Sequence, residues 1–274
     1  MQKSETSSDL FFHKERCFRI TATDVAVIFD IDPYRKLKQM IEEKNWDRQH
    51  PFEIKEVPKN LQFVFDHGNR GEIISANWYF DDWDSHELFD PKKEITPIYT
   101  NSINRIWVHE SYPWLVATPD REIWTHPCVE KDPLKVRLIR LVEFKTPLRK
   151  IHITVPPHYW LQCQMQMEVC NVDLLHFVSR TPRSKWIVEE RLFIAEVKRD
   201  KKFIQEEVIP ALYDFYCRFK MDAETIEAYD KAKHEKYLED YHTLIKKKLG
   251  LRIQETCKSL DISKKKKSTL LNCD

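Results

Sequence analysis

Glycine is almost missing from this chain, with 3 in 274 residues. A phosphate-cradling loop needs several glycines at fixed spacing, so no such loop is the working device here. No run of eighteen apolar residues exists, which excludes a membrane-spanning helix. The first residues are polar and acidic and show no signal peptide. The 7 cysteines are scattered, odd in number and without Cys-x-x-Cys spacing. That argues against a zinc site or a disulfide frame and for reduced thiols in an intracellular setting. Charge of either sign is not in excess: 45 basic and 44 acidic residues leave a net +1. Any nucleic-acid contact must therefore come from a local patch. An apolar content of 42% is enough for a substantial core, and the length suits one large domain with or without appendages.

The most informative stretch runs from Val116 to Pro147. One limb reads Leu115-Val-Ala-Thr-Pro-Asp120 and the other Leu138-Ile-Arg-Leu-Val-Glu-Phe-Lys-Thr-Pro147. Both have strand character, being rich in Val, Ile and Leu and bounded by Pro and charge. Alternation along a strand puts Glu143 and Lys145 on one face and Phe144 on the other, toward a core. If the limbs pair as a hairpin, Asp120 lies beside Glu143. Two carboxylates suit a hard divalent cation such as Mg²⁺, which activates water and neutralises a phosphate under attack. A neighbouring ammonium can orient that water or balance developing charge. An ordinary solvated strand remains the alternative for Glu-x-Lys read without its neighbours.

Pro119-Asp120 followed by Glu143-Phe-Lys145 resembles the PD-(D/E)xK nuclease signature. Other pieces narrow the resemblance to the lambda-exonuclease or YqaJ-type viral recombinase family. They are Arg16-Cys-Phe-Arg-Ile-Thr-Ala-Thr23, Gly68-Asn-Arg-Gly-Glu72, His109 through Asp120, and Tyr159-Trp-Leu-Gln-Cys-Gln164, in the family's order. The resemblance implies a restriction-endonuclease-like α/β core, a central mixed five-stranded sheet with helices on both faces. It covers about residues 11–221, after a flexible 1–10 and before a helical, lysine-rich extension at 222–274. It implies Asp120, Glu143 and the backbone carbonyl of Phe144 as metal ligands, with Glu72 in support. Lys145 positions the attacking water and Gln162 orients the site. Arg16, Thr21, Thr23 and Gln164 match phosphate-contacting positions, and plain helix capping is the alternative for the two threonines.

The activity that the resemblance implies is a Mg²⁺-dependent 5′-to-3′ exonuclease on double-stranded DNA ends, leaving 3′ single strands for recombination or repair. Mn²⁺ would substitute, with two ions per site. A single-strand-annealing protein and a ring-shaped trimer are the partners the family implies, with no membrane. Three rivals stand beside it: a PD-(D/E)xK endonuclease cutting internally, a DNA-binding module without catalysis, and an interaction protein using its 8 Trp and 15 Phe.

Along the chain, helices are expected from Thr21 to Phe29, Asp32 to Trp46 and Phe63 to Phe80. Further helices are expected from His158 to Cys170, Arg199 to Lys220 with a kink at Pro210, and Ala223 to Leu249. Strands are expected within 94–108, then as a pair at Leu174–Ser179 and Trp186–Ile194 joined by a basic turn. On the helix after Pro157, Tyr159, Gln162, Cys163 and Gln166 fall in one stripe. Lys264–Lys267 read as a solvated tail, with nonspecific DNA affinity or a nuclear address as alternatives.

Overall fold

The structure is a computed structural model. It describes residues 16–51, 53, 58–80, 97–100, 105–125, 137–148, 150–181 and 191–260. The basic turn at 182–185 and the lysine run at 264–267 lie outside them.

The chain builds a mixed sheet around β6 (Leu138–Lys145). Leu141, Val142, Glu143 and Phe144 of this strand are buried, as befits a strand covered on both faces. On one side it pairs antiparallel with β5 (Arg121–Thr125), which pairs with the edge strand β2 (Pro97–Thr100). On the other side it runs parallel to β7 (Leu174–Thr181), and β7 pairs antiparallel with β8 (Arg191–Lys198). The parallel step needs a crossover, supplied by the helix Pro157–Val169 (α4 below). These five strands match the expected sheet. A sixth, β9 (Cys257–Ser259), extends it along β8 and comes from the C-terminal extension. A separate small sheet joins β1 (Ile20–Thr21), β4 (Leu115–Ala117) and β3 (Trp107–Val108).

Helices cover both faces. On one face Leu141, Leu175, Phe177, Ala195 and Val197 form the larger core. Packed there are α1 (Asp24–Ile28), α2 (Leu37–Gln49) and α4 (Pro157–Val169). A second cluster joins Val142, Phe144, Val178 and Ile194 to Ala76 and Tyr79. Those last two belong to, and directly follow, α3 (Lys59–Trp78), which covers the other face. Phe144 is thus buried opposite Glu143, as alternation requires. Full burial of each large side chain in these clusters contributes about 1.5–3 kcal/mol.

Several local expectations shift. Asp32 does not cap a helix. Its Oδ1 accepts the N–H groups of Tyr34 and Arg35 at 2.7 and 3.0 Å, closing a turn, and α2 begins only at Leu37. The helix after Arg199 comes as α5 (Lys201–Phe203), a π-helical turn (Ile204–Val208) and α6 (Ile209–Arg218). Pro210 has no N–H to give, and the irregular hydrogen bonding falls in the turn just before it. Strand β8, Arg191–Lys198, runs four residues past the expected end at Ile194, and residues 186–190 of the expected strand lie outside the described ones.

The C-terminal segment is part of the core. Helix α7 (Lys231–Thr256) buries Tyr237, Ile245 and Leu249 in the larger cluster. Tyr237 donates its hydroxyl to the Ala211 carbonyl at 3.1 Å, and Trp160 donates its indole N–H to Thr256 Oγ1 at 2.8 Å. A charged helix with a thin apolar stripe reads from sequence as an appendage, but the stripe is what this fold uses. Among the described residues no helix is long and apolar enough to cross a membrane.

Candidate active site

Strand β6 ends at the carboxyl edge of its parallel step, and Glu143 and Lys145 occupy that end on the face of α4. The expected hairpin is formed, but by different residues. Pro119 ends the first limb, so Leu115–Ala117 joins the small sheet as β4, while β5 after Asp120 pairs with β6. Arg121 stands opposite Val142, which brings Asp120 alongside Glu143 and Phe144. Asp120 Oδ2 accepts the Phe144 N–H at 2.7 Å. In an extended strand the N–H and C=O of one residue face the same neighbour, so the Phe144 carbonyl is directed to the Asp120 side.

Glu143 is fully buried and held from three directions. Lys145 Nζ and Gln162 Nε2 donate to its Oε1, the amide at 2.6 Å, and Gln166 Nε2 donates to Oε2 at 2.8 Å. Gln162 and Gln166 stand one turn apart on α4, the spacing that puts two side chains on one face. Lys145 Nζ also lies 4.7 Å over the ring of Tyr159, a cation–π contact. Burial works against the lysine charge, but Glu143 and then Asp120 outweigh it and hold the ammonium above its ordinary range. Burial first, and Glu143 second, push the Asp120 carboxyl well above the usual carboxylate range. The charged form of Asp120 is therefore disfavoured until further positive charge arrives. An all-oxygen donor set of this kind, two converging carboxylates and a backbone carbonyl, fits a hard divalent cation.

Asp120, Phe144 and Lys145 open onto a cleft of about 810 Å³. Its walls include Tyr34, Gly68, Glu72, Lys150, His152 and Tyr159. Glu72 faces the cleft from α3 and is ion-paired with Arg121 at 2.9 Å. Among the described residues no three His, Cys, Asp or Glu side chains form a ready metal cluster, but Glu72 is near enough to Asp120 to help push its carboxyl up. Its approach is set by Gly71. A Cβ there would lie 2.2 Å from Thr146 Cγ2 and 2.7 Å from Thr146 Cβ, immediately after Lys145. Only glycine lets α3 lie this close to the end of β6. Gly71→Ala is expected to cost about 1–3 kcal/mol through overpacking. Thermal melts of the variant check this, and an unchanged midpoint would show that the helix retreats freely.

A second, smaller cavity of about 150 Å³ holds Arg16, Thr21, Asp24, Arg35 and Lys44. Thr21 and Thr23 hydroxyls bond each other at 2.8 Å, and the Thr21 N–H goes to Asp24 Oδ2 at 2.9 Å. Burial pushes the Asp24 carboxyl up, but Lys44 and Arg35 prevail and hold it well below the usual range. Helix α1 has only 5 residues, shorter than the expected Thr21–Phe29, so its dipole contributes little. Three cationic side chains, Arg16, Arg35 and Lys44, line this cavity beside Asp24 and Asp47.

A family model described as the YqaJ-like viral recombinase domain matches residues 11–173, more than half of the chain. The chain belongs to this family. It is accordingly a nuclease, a hydrolase acting on DNA. Comparison with curated proteins found no match. Among solved structures it is similar to an alkaline exonuclease (LHK-Exo) from Laribacter hongkongensis, at 16% identity over 86% of this chain and 94% of that one, with a TM-score of 0.47. The complex of LHK-Exo with dAMP is similar at 17% identity, covering 88% and 98% of the two chains, TM-score 0.47.

Within this YqaJ-like domain the structure brings Asp120, Glu143, Lys145, Phe144 and Gln162 together. It places Glu72 on the cleft wall and Arg16 and Thr21 at the separate cavity, with the Thr23 hydroxyl bonded to that of Thr21. Gln164 is a correction. It is fully buried, donating to the Lys198 carbonyl at 2.8 Å and accepting the Asp200 N–H at 2.7 Å. Both ends of its amide tie the end of β8 to the start of α5, which leaves nothing for a DNA phosphate. Gln166 holds Glu143 instead, and the stripe Tyr159, Gln162, Gln166 was the signal for it. Arg121 and Tyr34 carried no signal in the sequence, since their positions depend on the meeting of distant segments.

Proposed function

We propose that this YqaJ-like nuclease is a Mg²⁺-dependent exonuclease that digests duplex DNA from its ends, 5′ to 3′, leaving 3′ single strands. The observation that carries the reading is the convergence of Asp120, Glu143 and Lys145, with Asp120 and Lys145 lining one cleft and Gln162 and Gln166 locking the buried Glu143 carboxylate. Asp120, Glu143 and the Phe144 carbonyl would hold the cation, which would supply water activation and charge neutralisation at the scissile phosphate. Lys145 stays protonated and balances negative charge developing on the phosphate. Gln162 and Gln166 fix the direction of the Glu143 lone pairs, so no side chain reorganises as charge develops. Glu72, held by its ion pair with Arg121, supports the site from the cleft wall.

Arg16, with Thr21 and Thr23, is the terminal phosphate contact in this reading, because Arg35 and Lys44 stand beside it in the same cavity. Arg16→Ala is expected to slow digestion about tenfold on 5′-phosphorylated ends, the loss of one charge-assisted hydrogen bond. Ends carrying a 5′-hydroxyl should be barely affected. Equal slowing on both kinds of end removes the assignment.

The test of the reading as a whole is digestion of linear duplex labelled at either end, with Mg²⁺ or EDTA, beside a closed circle. Mg²⁺-dependent release of the 5′ label with the circle intact is the expected result. A cut circle moves the same site to internal cleavage.

A further inference from the structure

Tyr34 is an exposed aromatic ring on an anchored backbone. Its side chain is 73% exposed and lines the active cleft. Exposure of this kind usually accompanies a loose loop, but here the loop is tied on both sides. Asp32 Oδ1 holds the Tyr34 and Arg35 N–H groups, and the Ile31 and Asp32 N–H groups go to the Ala26 carbonyl at 2.8 and 3.1 Å. Arg35 is ion-paired with Asp24 at 2.9 Å and with Glu43 at 2.6 Å.

The ring meets His158 edge to face, with centroids 5.7 Å apart. His158 in turn lies 4.0 Å from Tyr159, the ring beneath Lys145. An aromatic wall thus runs from the exposed Tyr34 to the lysine of the site. Lys150 lines the same cleft, and the buried Thr146 hydroxyl beside it has no hydrogen-bond partner among the described residues. The residue after Tyr34 belongs to the other cavity, where Arg35 stands with Arg16 and Lys44. Tyr34 therefore sits in the chain at the junction of two places that favour phosphate.

We propose that Tyr34 is a stacking platform for one nucleobase of the strand being cut, that of the nucleotide joining the phosphate held near Arg16 to the phosphodiester at Asp120 and Glu143. The inference rests on the nuclease reading above and adds a base subsite to it. An aromatic face accepts any base, which suits digestion without sequence preference. A base can reach the ring only after leaving its own stack, so the platform also favours an end whose terminal pair has opened.

The experiment uses the full chain with Ca²⁺ in place of Mg²⁺, and 5′-phosphorylated duplexes carrying 2-aminopurine at the first, second or third nucleotide. Binding is followed by anisotropy and stacking by quenching. One position is expected to be quenched severalfold with the wild type and with Tyr34→Phe, and to recover its fluorescence with Tyr34→Ala. Under Mg²⁺, Tyr34→Ala should digest the normal duplex about tenfold more slowly. An abasic nucleotide at the quenched position should slow the wild type about as much and Tyr34→Ala no further. Unchanged thermal midpoints are expected, since the ring is exposed. Equal quenching with Tyr34→Ala, or a further loss on the abasic duplex, overturns the platform while leaving the nuclease reading intact. A wild type that neither binds nor digests any of these duplexes overturns both.

Discussion

Replacing Lys145 by alanine is expected to lower turnover on linear duplex about a thousandfold while metal and DNA binding persist. Lys145 is the cation that accompanies Glu143 and Asp120 in the buried site, and its contacts there are with carboxylates and the Tyr159 ring. Removing it leaves two neighbouring carboxylates with less to offset them. The variant should therefore melt earlier than the wild type in EDTA, since breaking a buried pair strands the other charge. Mg²⁺ should restore much of that loss. Asp120→Asn is expected to do the opposite. The environment raises the Asp120 pKa, so the folded protein disfavours its charged form at neutral pH, and a neutral isostere relieves that cost. The amide oxygen can still accept the Phe144 N–H. Asp120→Asn should melt later in EDTA, gain nothing from Mg²⁺, and be inactive. Melting curves of both variants with and without Mg²⁺, beside the digestion assay, are the check. Full activity in Lys145→Ala removes its role, and a Mg²⁺ response retained by Asp120→Asn removes Asp120 as a ligand.

An equally severe loss is expected at the C-terminal segment. A chain ending at residue 221 is expected not to fold, whereas one ending at residue 260 should melt like the full protein. The shorter chain loses Ile226, Tyr237, Ile245 and Leu249 from the main core, and with them the edge strand β9. Losing a large buried side chain costs about 2–5 kcal/mol, so four exceed the 5–15 kcal/mol that stabilises a typical domain, or consume most of it. Removal of the helix also bares the surfaces of α1, α4 and α6 that it covers. Circular dichroism and thermal melts of the two truncated chains provide the check. A well-folded chain ending at 221 would make the segment an appendage after all.

The Arg48 side chain shows how far the two ends of the chain are interlocked. Its guanidinium donates to the Cys17 carbonyl at 2.8 and 3.1 Å, to Met221 at 2.7 Å and to Ala223 at 2.7 Å. The segment that carries Arg16 is thus fastened to the turn before α7. Lys44 acts similarly nearby, donating to the Arg16 and Arg19 carbonyls at 3.2 and 2.8 Å while paired with Asp24. The cavity around Arg16 and the C-terminal segment are supports of one another.

The chemistry and the central strand were legible in the residues alone. Alternation placed Glu143 and Lys145 together and sent Phe144 to the core, because a strand has a period of two whatever packs around it. The spacing of Gln162 and Gln166 on a helix put both on one face for the same kind of reason. The order of the motifs named the family. Which neighbours those side chains met was settled by packing. Pro119 could end a strand in the sequence, but not say that the residues before it would join a different sheet. Gln164 and Gln166 are alike in the sequence, and the packing of β8 against α4 turned one into a tie and left the other on Glu143. The apolar stripe of α7 was too thin to announce a core helix, yet the surfaces of α1, α4 and α6 needed cover. Tyr34 reached the cleft, and Arg121 its partner Glu72, through contacts between segments far apart in the chain, and no local pattern encodes such contacts.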